Sequence, residues 1–348
     1  MIMRKLWKLV TAIGLCIVLM GTTLGTSAFA ASSVKYTGRH YKQYTYLGDS
    51  IPFGYGLVSQ EASSDPFSVG MRVKGTYTDL VSKALEKDNK TKIQPAASSG
   101  SRMCDYRIVL ERGMGLEDPY DVQNDWYGKR KAYRTVVLRS MGPQIVNWVS
   151  KSDLITFQCG LNDLTASLVN AAYATGIVDL DKITNMESIG DVLDYIAFAL
   201  NGLKNDPVFM DNFILTFQNE IKQTRENIRV VIKELAQIAP KDADILIVGY
   251  HKAVKGFRII PGTDRSIVFD LIDEGLMSYN QYYKTIASRY DNVTFVDAPN
   301  ASVVYPEGIS LVNALTDDRG FLLGVHPDEN GHKYIARKVL LKLNELHK

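Results

Sequence analysis

An α/β fold, with a parallel sheet covered by helices on both faces, is what this sequence predicts. Three observations carry the prediction. Short strand-like segments alternate with helix-like ones along the chain. The segment DLITFQCG at 153–160 is nearly all apolar, as expected of a strand buried on both faces. The sequence also has no internal repeat.

The elements follow in order. QYTYL at 43–47 is aromatic-rich and short, which suits a strand. GTYTDLVSKALEK at 75–87 has helical periodicity, and Thr76 and Asp79 stand at its start with the spacing of a capping box. KIQPAA at 92–97 reads as a strand at an edge, because Pro95 cannot donate to a ladder. SSGSR at 98–102 is a loop. Residues 130–151 have a helical pattern that Pro143 bends or divides. The apolar strand at 153–160 comes next. Residues 164–205 have helical character and little sign of strands, and read as a helical insertion. A long helix spans 209–240 and ends at Pro240. ADILIVGYH at 243–251 is a strand, 273–290 a helix, VTFVD at 293–297 a strand, and 329–348 a closing amphipathic helix.

At 348 residues and 46% hydrophobic, the chain can bury a substantial core as one large domain or two ordinary ones. A net charge of +2 creates no field that would recruit nucleic acid. Residues 1–30 are expected to be a secretory signal peptide. Arg4, Lys5 and Lys8 precede an apolar run, and Ala28-Phe29-Ala30 places small residues before a cut near Ala30. An uncleaved anchor is the other reading, but the apolar run is short for a span. Cleavage would leave a nearly neutral, secreted chain, residues 31–348, with no stable membrane span. Cys104 and Cys159 then remain, as a disulfide that export permits or as two buried thiols. No CxxC and no Cys/His cluster suggests structural zinc.

In a parallel α/β sheet the site lies at the carboxyl ends of the strands. Gly48-Asp49-Ser50, Ser99-Gly100 and Gly160-Leu161-Asn162-Asp163 each follow a predicted strand, so they are expected to meet at one rim. Each is also an ordinary turn sequence when taken alone. Acyl transfer needs a hydroxyl, a base, donors for the oxyanion and a group that orients the base. Ser50 offers the hydroxyl. Five histidines are available for the base: His40, His251, His326, His332 and His347. His40 lies in a polar arm and His347 at the terminus. His251 follows a strand, and His326 stands in the loop before the last helix. Gly100 offers an unobstructed backbone N–H and Asn162 a side-chain amide.

Together, GDS at 48–50, the glycine of SSGS at 100, GLND at 160–163 and HPDENGH at 326–332 resemble the SGNH hydrolases, also called the GDSL esterase/lipase family. The resemblance implies a flavodoxin-like three-layer α/β/α sandwich with about five parallel strands. It implies Ser50 as nucleophile, His326 as base, and an oxyanion hole from Ser50, Gly100 and Asn162. It implies no metal or organic cofactor. The substrate class would be a small-molecule, lipid or glycan ester, with thioesterase or lysophospholipase chemistry as variants of the same site. A non-catalytic binding module on the same fold is the alternative from another class. One position departs from the family: Leu323 stands where an aspartate usually orients the histidine. Either a backbone carbonyl near Leu323 takes that role, or Asp317 or Asp318 folds back to do so.

Overall fold

The computed structural model describes residues 34–57, 70–86, 90–113, 138, 140–177, 179, 195–196, 199, 206–252, 266–303 and 325–348. The segment read as a signal peptide, most of the insertion read at 164–205, and Asp317, Asp318 and Leu323 lie outside these residues.

Five strands form one sheet: β1 (Gln43–Gly48), β2 (Lys92–Ala97), β3 (Leu154–Gln158), β4 (Asp244–Val248) and β5 (Val293–Val296). The order is β2-β1-β3-β4-β5 and every pair is parallel. This is the flavodoxin-like doubly wound order, with its topological switch point between β1 and β3. β1 is buried along its whole length and β3 likewise, as the apolar sequence requires. β2 is an edge strand, which accommodates Pro95.

Eight helices are described: α1 (Ser50–Phe53), α2 (Tyr77–Glu86), α3 (Met103–Gly113), α4 (Gly142–Val149), α5 (Leu161–Ala174), α6 (Pro207–Ile238), α7 (Ser266–Ala287) and α8 (Glu329–Leu346). Right-handed crossovers put the β1-to-β2 connection on one face and the later connections on the other. The packing agrees. α2 packs on α8, while α3, α4, α5, α6 and α7 form a connected second layer. The result is the three-layer sandwich expected.

Local chemistry explains several boundaries. Thr76 Oγ1 accepts from Asp79 N at 3.0 Å and Asp79 Oδ2 accepts from Gly75 N at 2.9 Å, a reciprocal cap at the start of α2. Asp206 caps α6 by accepting from Phe209 N at 3.1 Å. Pro143 sits in the first turn of α4, where its missing N–H costs nothing, so it divides the helical pattern at a helix start and does not bend a helix. α3 was not expected. Its apolar Met103, Tyr106, Val109 and Leu110 face the core at helical spacing, but the run is short and polar overall. α5 begins at Leu161, ahead of the insertion read from residue 164. Its Leu164, Leu168, Val169 and Ala172 are fully buried, so this part belongs to the core layer. No disulfide joins Cys104 and Cys159; both are buried thiols.

Candidate active site

The switch point is built around Gly48, the last residue of β1. In register it lies opposite Ala97 of β2 and Gln158 of β3. Its carbonyl accepts from Ser98 N at 2.9 Å, and the next residue, Asp49, donates its N–H to Gln158 O at 2.9 Å. The turn demands φ +138° at Gly48. A Cβ there would stand 1.9 Å from Gln158 O, so only glycine fits. The Tyr106 hydroxyl of α3 accepts from Gly48 N at 2.9 Å and faces the carbonyls of Gly48 and Ala96 at 2.7 and 2.8 Å. One buried phenol thus ties the ends of β1 and β2 together.

Asp49 then caps α1, with Oδ1 accepting from Ile51 N at 3.0 Å. This makes Ser50 the first helical residue, whose N–H has no partner inside the helix. Burial pushes the Asp49 carboxyl up to about 6, opposed by the Tyr250 hydroxyl and by backbone donors. Ser50 Oγ lies 2.7 Å from His326 Nε2, and both residues are buried. His326 is placed by the start of α8, because Asp328 caps that helix by accepting from Gly331 N at 2.7 Å. The Tyr55 ring covers the imidazole, with centroids 4.5 Å apart.

The strands on either side of β1 bring the remaining groups. Gly100 lies in the turn after β2, with φ +82°. After β3, Gly160 adopts φ +139° and α5 begins at once with Leu161 and Asn162. Asn162 Nδ2 donates to Ser101 O at 3.0 Å, which ties this helix start to the loop carrying Gly100. Asp163 Oδ2 accepts from Met103 N at 2.8 Å, a second tie, from the start of α5 to the start of α3. Burial pushes the Asp163 carboxyl up to about 7. The topology thus gathers Ser50, Gly100 and Asn162 from three adjacent strand ends, with His326 reaching in from the last loop.

The other histidines have different surroundings. His40 is exposed on the arm. His347 lies at the far end of the sheet, with Nε2 at 2.7 Å from Asp244 Oδ2. Burial lowers His251 to about 4, and its Nε2 faces the Val325 carbonyl at 3.2 Å. His332 Nδ1 accepts from Tyr77 N at 3.1 Å, which links α8 to the start of α2. Burial, reinforced by the nearby His326 and His251, lowers His332 to about 3.

That last value has a sign that can be tested. The unfolded chain protonates His332 near 6.5, whereas the folded chain holds it neutral to about 3. Its contribution to stability is therefore complete above pH 6.5 and declines as pH falls below that value. The slope is about 1.4 kcal/mol per pH unit for this one group. His332→Gln keeps an acceptor for Tyr77 N and removes the titration. Its urea midpoint is expected to fall less than that of the wild type between pH 7 and pH 5. Parallel losses in the two proteins would refute the assignment.

Tyr55, Tyr106 and Tyr250 were not singled out from the sequence, and Asp49 only as part of the GDS stretch, although all four shape the site.

The GDSL-like Lipase/Acylhydrolase family matches residues 46–334. No curated protein matches the sequence. Among solved structures, the chain is similar to a phospholipase A1 from Streptomyces albidoflavus NA297, at 16% identity and TM-score 0.46, over 87% of this chain and 98% of that one. It is similar to an extracellular lipase from Streptomyces rimosus, at 18% identity and TM-score 0.44, over 86% and 98% of the two chains. It is also similar to a variant of an acetyl-xylooligosaccharide esterase from Geobacillus stearothermophilus, at 14% identity and TM-score 0.41, over 87% and 94%. With the match spanning the site from β1 to the first turns of α8, the chain belongs to the GDSL-like lipase/acylhydrolase family.

Proposed function

We propose that this protein is a secreted serine hydrolase that cleaves carboxylic esters, of a lipid or of an O-acylated glycan, through an acyl-enzyme on Ser50. The observation that carries the reading is the 2.7 Å contact between Ser50 Oγ and His326 Nε2, groups 276 residues apart in sequence. A buried hydroxyl held against an imidazole at the switch point of a doubly wound sheet is arranged for nucleophilic attack.

The steps follow from the groups present. His326 Nε2 takes the Ser50 proton as Oγ bonds to the ester carbonyl carbon. The oxyanion is held by the N–H groups of Ser50 and Gly100 and by the Asn162 amide. The intermediate collapses, the alcohol leaves with the proton from His326, and the acyl group stays on Ser50. Water then attacks the acyl carbon while His326 takes its proton. Collapse releases the carboxylic acid and returns the proton to Ser50.

Export is part of the proposal and rests on the pattern of residues 1–30. No helix among the described residues is long and apolar enough to cross a membrane.

A fluorophosphonate probe is expected to add one equivalent of mass to the peptide containing Ser50 and to abolish hydrolysis of p-nitrophenyl acetate. Labelling elsewhere, or none, would refute the nucleophile. An acyl series from acetate to palmitate, run beside an acetylated polysaccharide, separates the substrate classes. A strong preference for long chains would exclude a glycan deacetylase, and acetate release from the polysaccharide with inert long-chain esters would exclude a lipase.

A further inference from the structure

Two consecutive side chains beyond the carboxyl end of β4 reach opposite halves of the site. Asn280 of α7 holds the backbone on which they stand. Its Oδ1 accepts from Tyr250 N at 2.7 Å and its Nδ2 donates to Tyr250 O at 2.7 Å. Both residues are buried.

The Tyr250 hydroxyl donates to Asp49 Oδ2 and accepts from Leu161 N at 3.1 Å. Asp49 caps the turn that carries Ser50, and Leu161 immediately precedes Asn162. A single hydroxyl therefore connects the turn of the nucleophile to the helix start that carries the oxyanion amide. Burial holds the Tyr250 phenol well above its ordinary value, so it stays a neutral donor.

His251 reaches the other way, to the Val325 carbonyl one residue before His326. A carbonyl only accepts, so the hydrogen of His251 must be on Nε2. The ring is buried and neutral, and its Nδ1 finds no hydrogen-bond partner among the described residues. These features suit a fixed donor. They do not suit a base that acts through Nε2, because that nitrogen carries a proton committed to a peptide group.

We propose that Tyr250 and His251 form a two-armed brace that positions the catalytic groups. Tyr250 fixes Ser50 relative to Asn162, and His251 fixes the peptide from which His326 projects. The proposal rests on the reading of Ser50 and His326 as nucleophile and base. Neither brace residue touches the reacting atoms, so both are positioning residues. Their loss should act on the geometry of the transition state and not on the binding of the ester.

The test uses the full chain and p-nitrophenyl acetate, with Ser50→Ala, Tyr250→Phe, His251→Phe and His251→Gln, and with melting temperatures measured in parallel. Tyr250→Phe and His251→Phe are each expected to lower kcat by about 10- to 100-fold, as misplacement of reacting groups does, with KM little changed. His251→Gln retains an N–H able to reach Val325 O and is expected to recover about half of the wild-type kcat or more. Folded phenylalanine variants with wild-type kcat would overturn the brace, as would a loss confined to KM. Should His251→Phe fail to fold, His251→Gln decides that arm, and a kcat below about a tenth of wild type at an unchanged melting temperature overturns it. Wild-type turnover by Ser50→Ala would instead strike the nucleophile assignment itself, and the brace with it.

Discussion

Ser50→Ala is expected to lower kcat/KM for p-nitrophenyl acetate by about 10⁴-fold or more, leaving only what binding and oxyanion donors supply. The substitution removes Oγ, so no acyl-enzyme can form and His326 loses its partner at 2.7 Å. It should leave the fold intact. Asp49 still caps α1 through Ile51 N, and the Ser50 backbone still accepts from Gly54 and Tyr55 at 2.9 Å each. The melting temperature should therefore stay close to that of the wild type while activity disappears. Asn162→Ala makes a useful contrast. It keeps the nucleophile and removes one donor, for which about 10²- to 10³-fold in kcat is expected. If the wild type and Ser50→Ala both hydrolyse at the background rate, the chain is a binding module on a hydrolase fold, and the esterase reading fails.

Gly48→Ala is expected to destabilise the protein by about 4 kcal/mol, from a side chain forced into positive φ together with steric overlap. The overlap is with backbone, since the Cβ would meet Gln158 O at 1.9 Å. That oxygen cannot retreat cheaply, because it accepts the Asp49 N–H at 2.9 Å. Gly48 is also pinned on both sides, by Ser98 N and by the Tyr106 hydroxyl. A loss of this size is a large fraction of the 5–15 kcal/mol typical of a folded domain. Urea denaturation measures it. A shift below about 1 kcal/mol would mean that the β1 turn is far more pliant than its hydrogen bonds suggest. Activity should fall with stability here, which distinguishes Gly48 from Ser50.

These two neighbours show what the sequence made legible. Ser50, Gly100 and Asn162 stood out because each follows a strand, and strand ends in a parallel sheet converge by topology alone. The strands themselves were readable from apolar runs such as the one at 153–160. What escaped was chemistry without a period or a spacing. Tyr106 and Tyr250 look like core aromatics in sequence, and only their hydroxyls give them a role, that of Tyr106 on the backbone of β1 and β2 and that of Tyr250 on Asp49 and Leu161 N. His251 was legible as a histidine after a strand, but its environment makes it a neutral donor to Val325, and no pattern in the sequence encodes that. α3 escaped because its apolar stripe is short. The residues weighed for orienting His326, Asp317 and Asp318, lie outside the described residues, as does Leu323.

The distance along the chain between Ser50 and His326 has a consequence for synthesis. A ribosome that has made β1, β2, β3 and the start of α5 has already made Ser50, Gly100 and Asn162, but not His326. His326 arrives with the segment that carries α8, the helix that packs on α2 and accepts from Tyr77 N through His332. On the proposed mechanism, any chain that ends before residue 326 lacks the base. The contact between Ser50 and His326 is thus one of high sequence separation, the slowest kind to form.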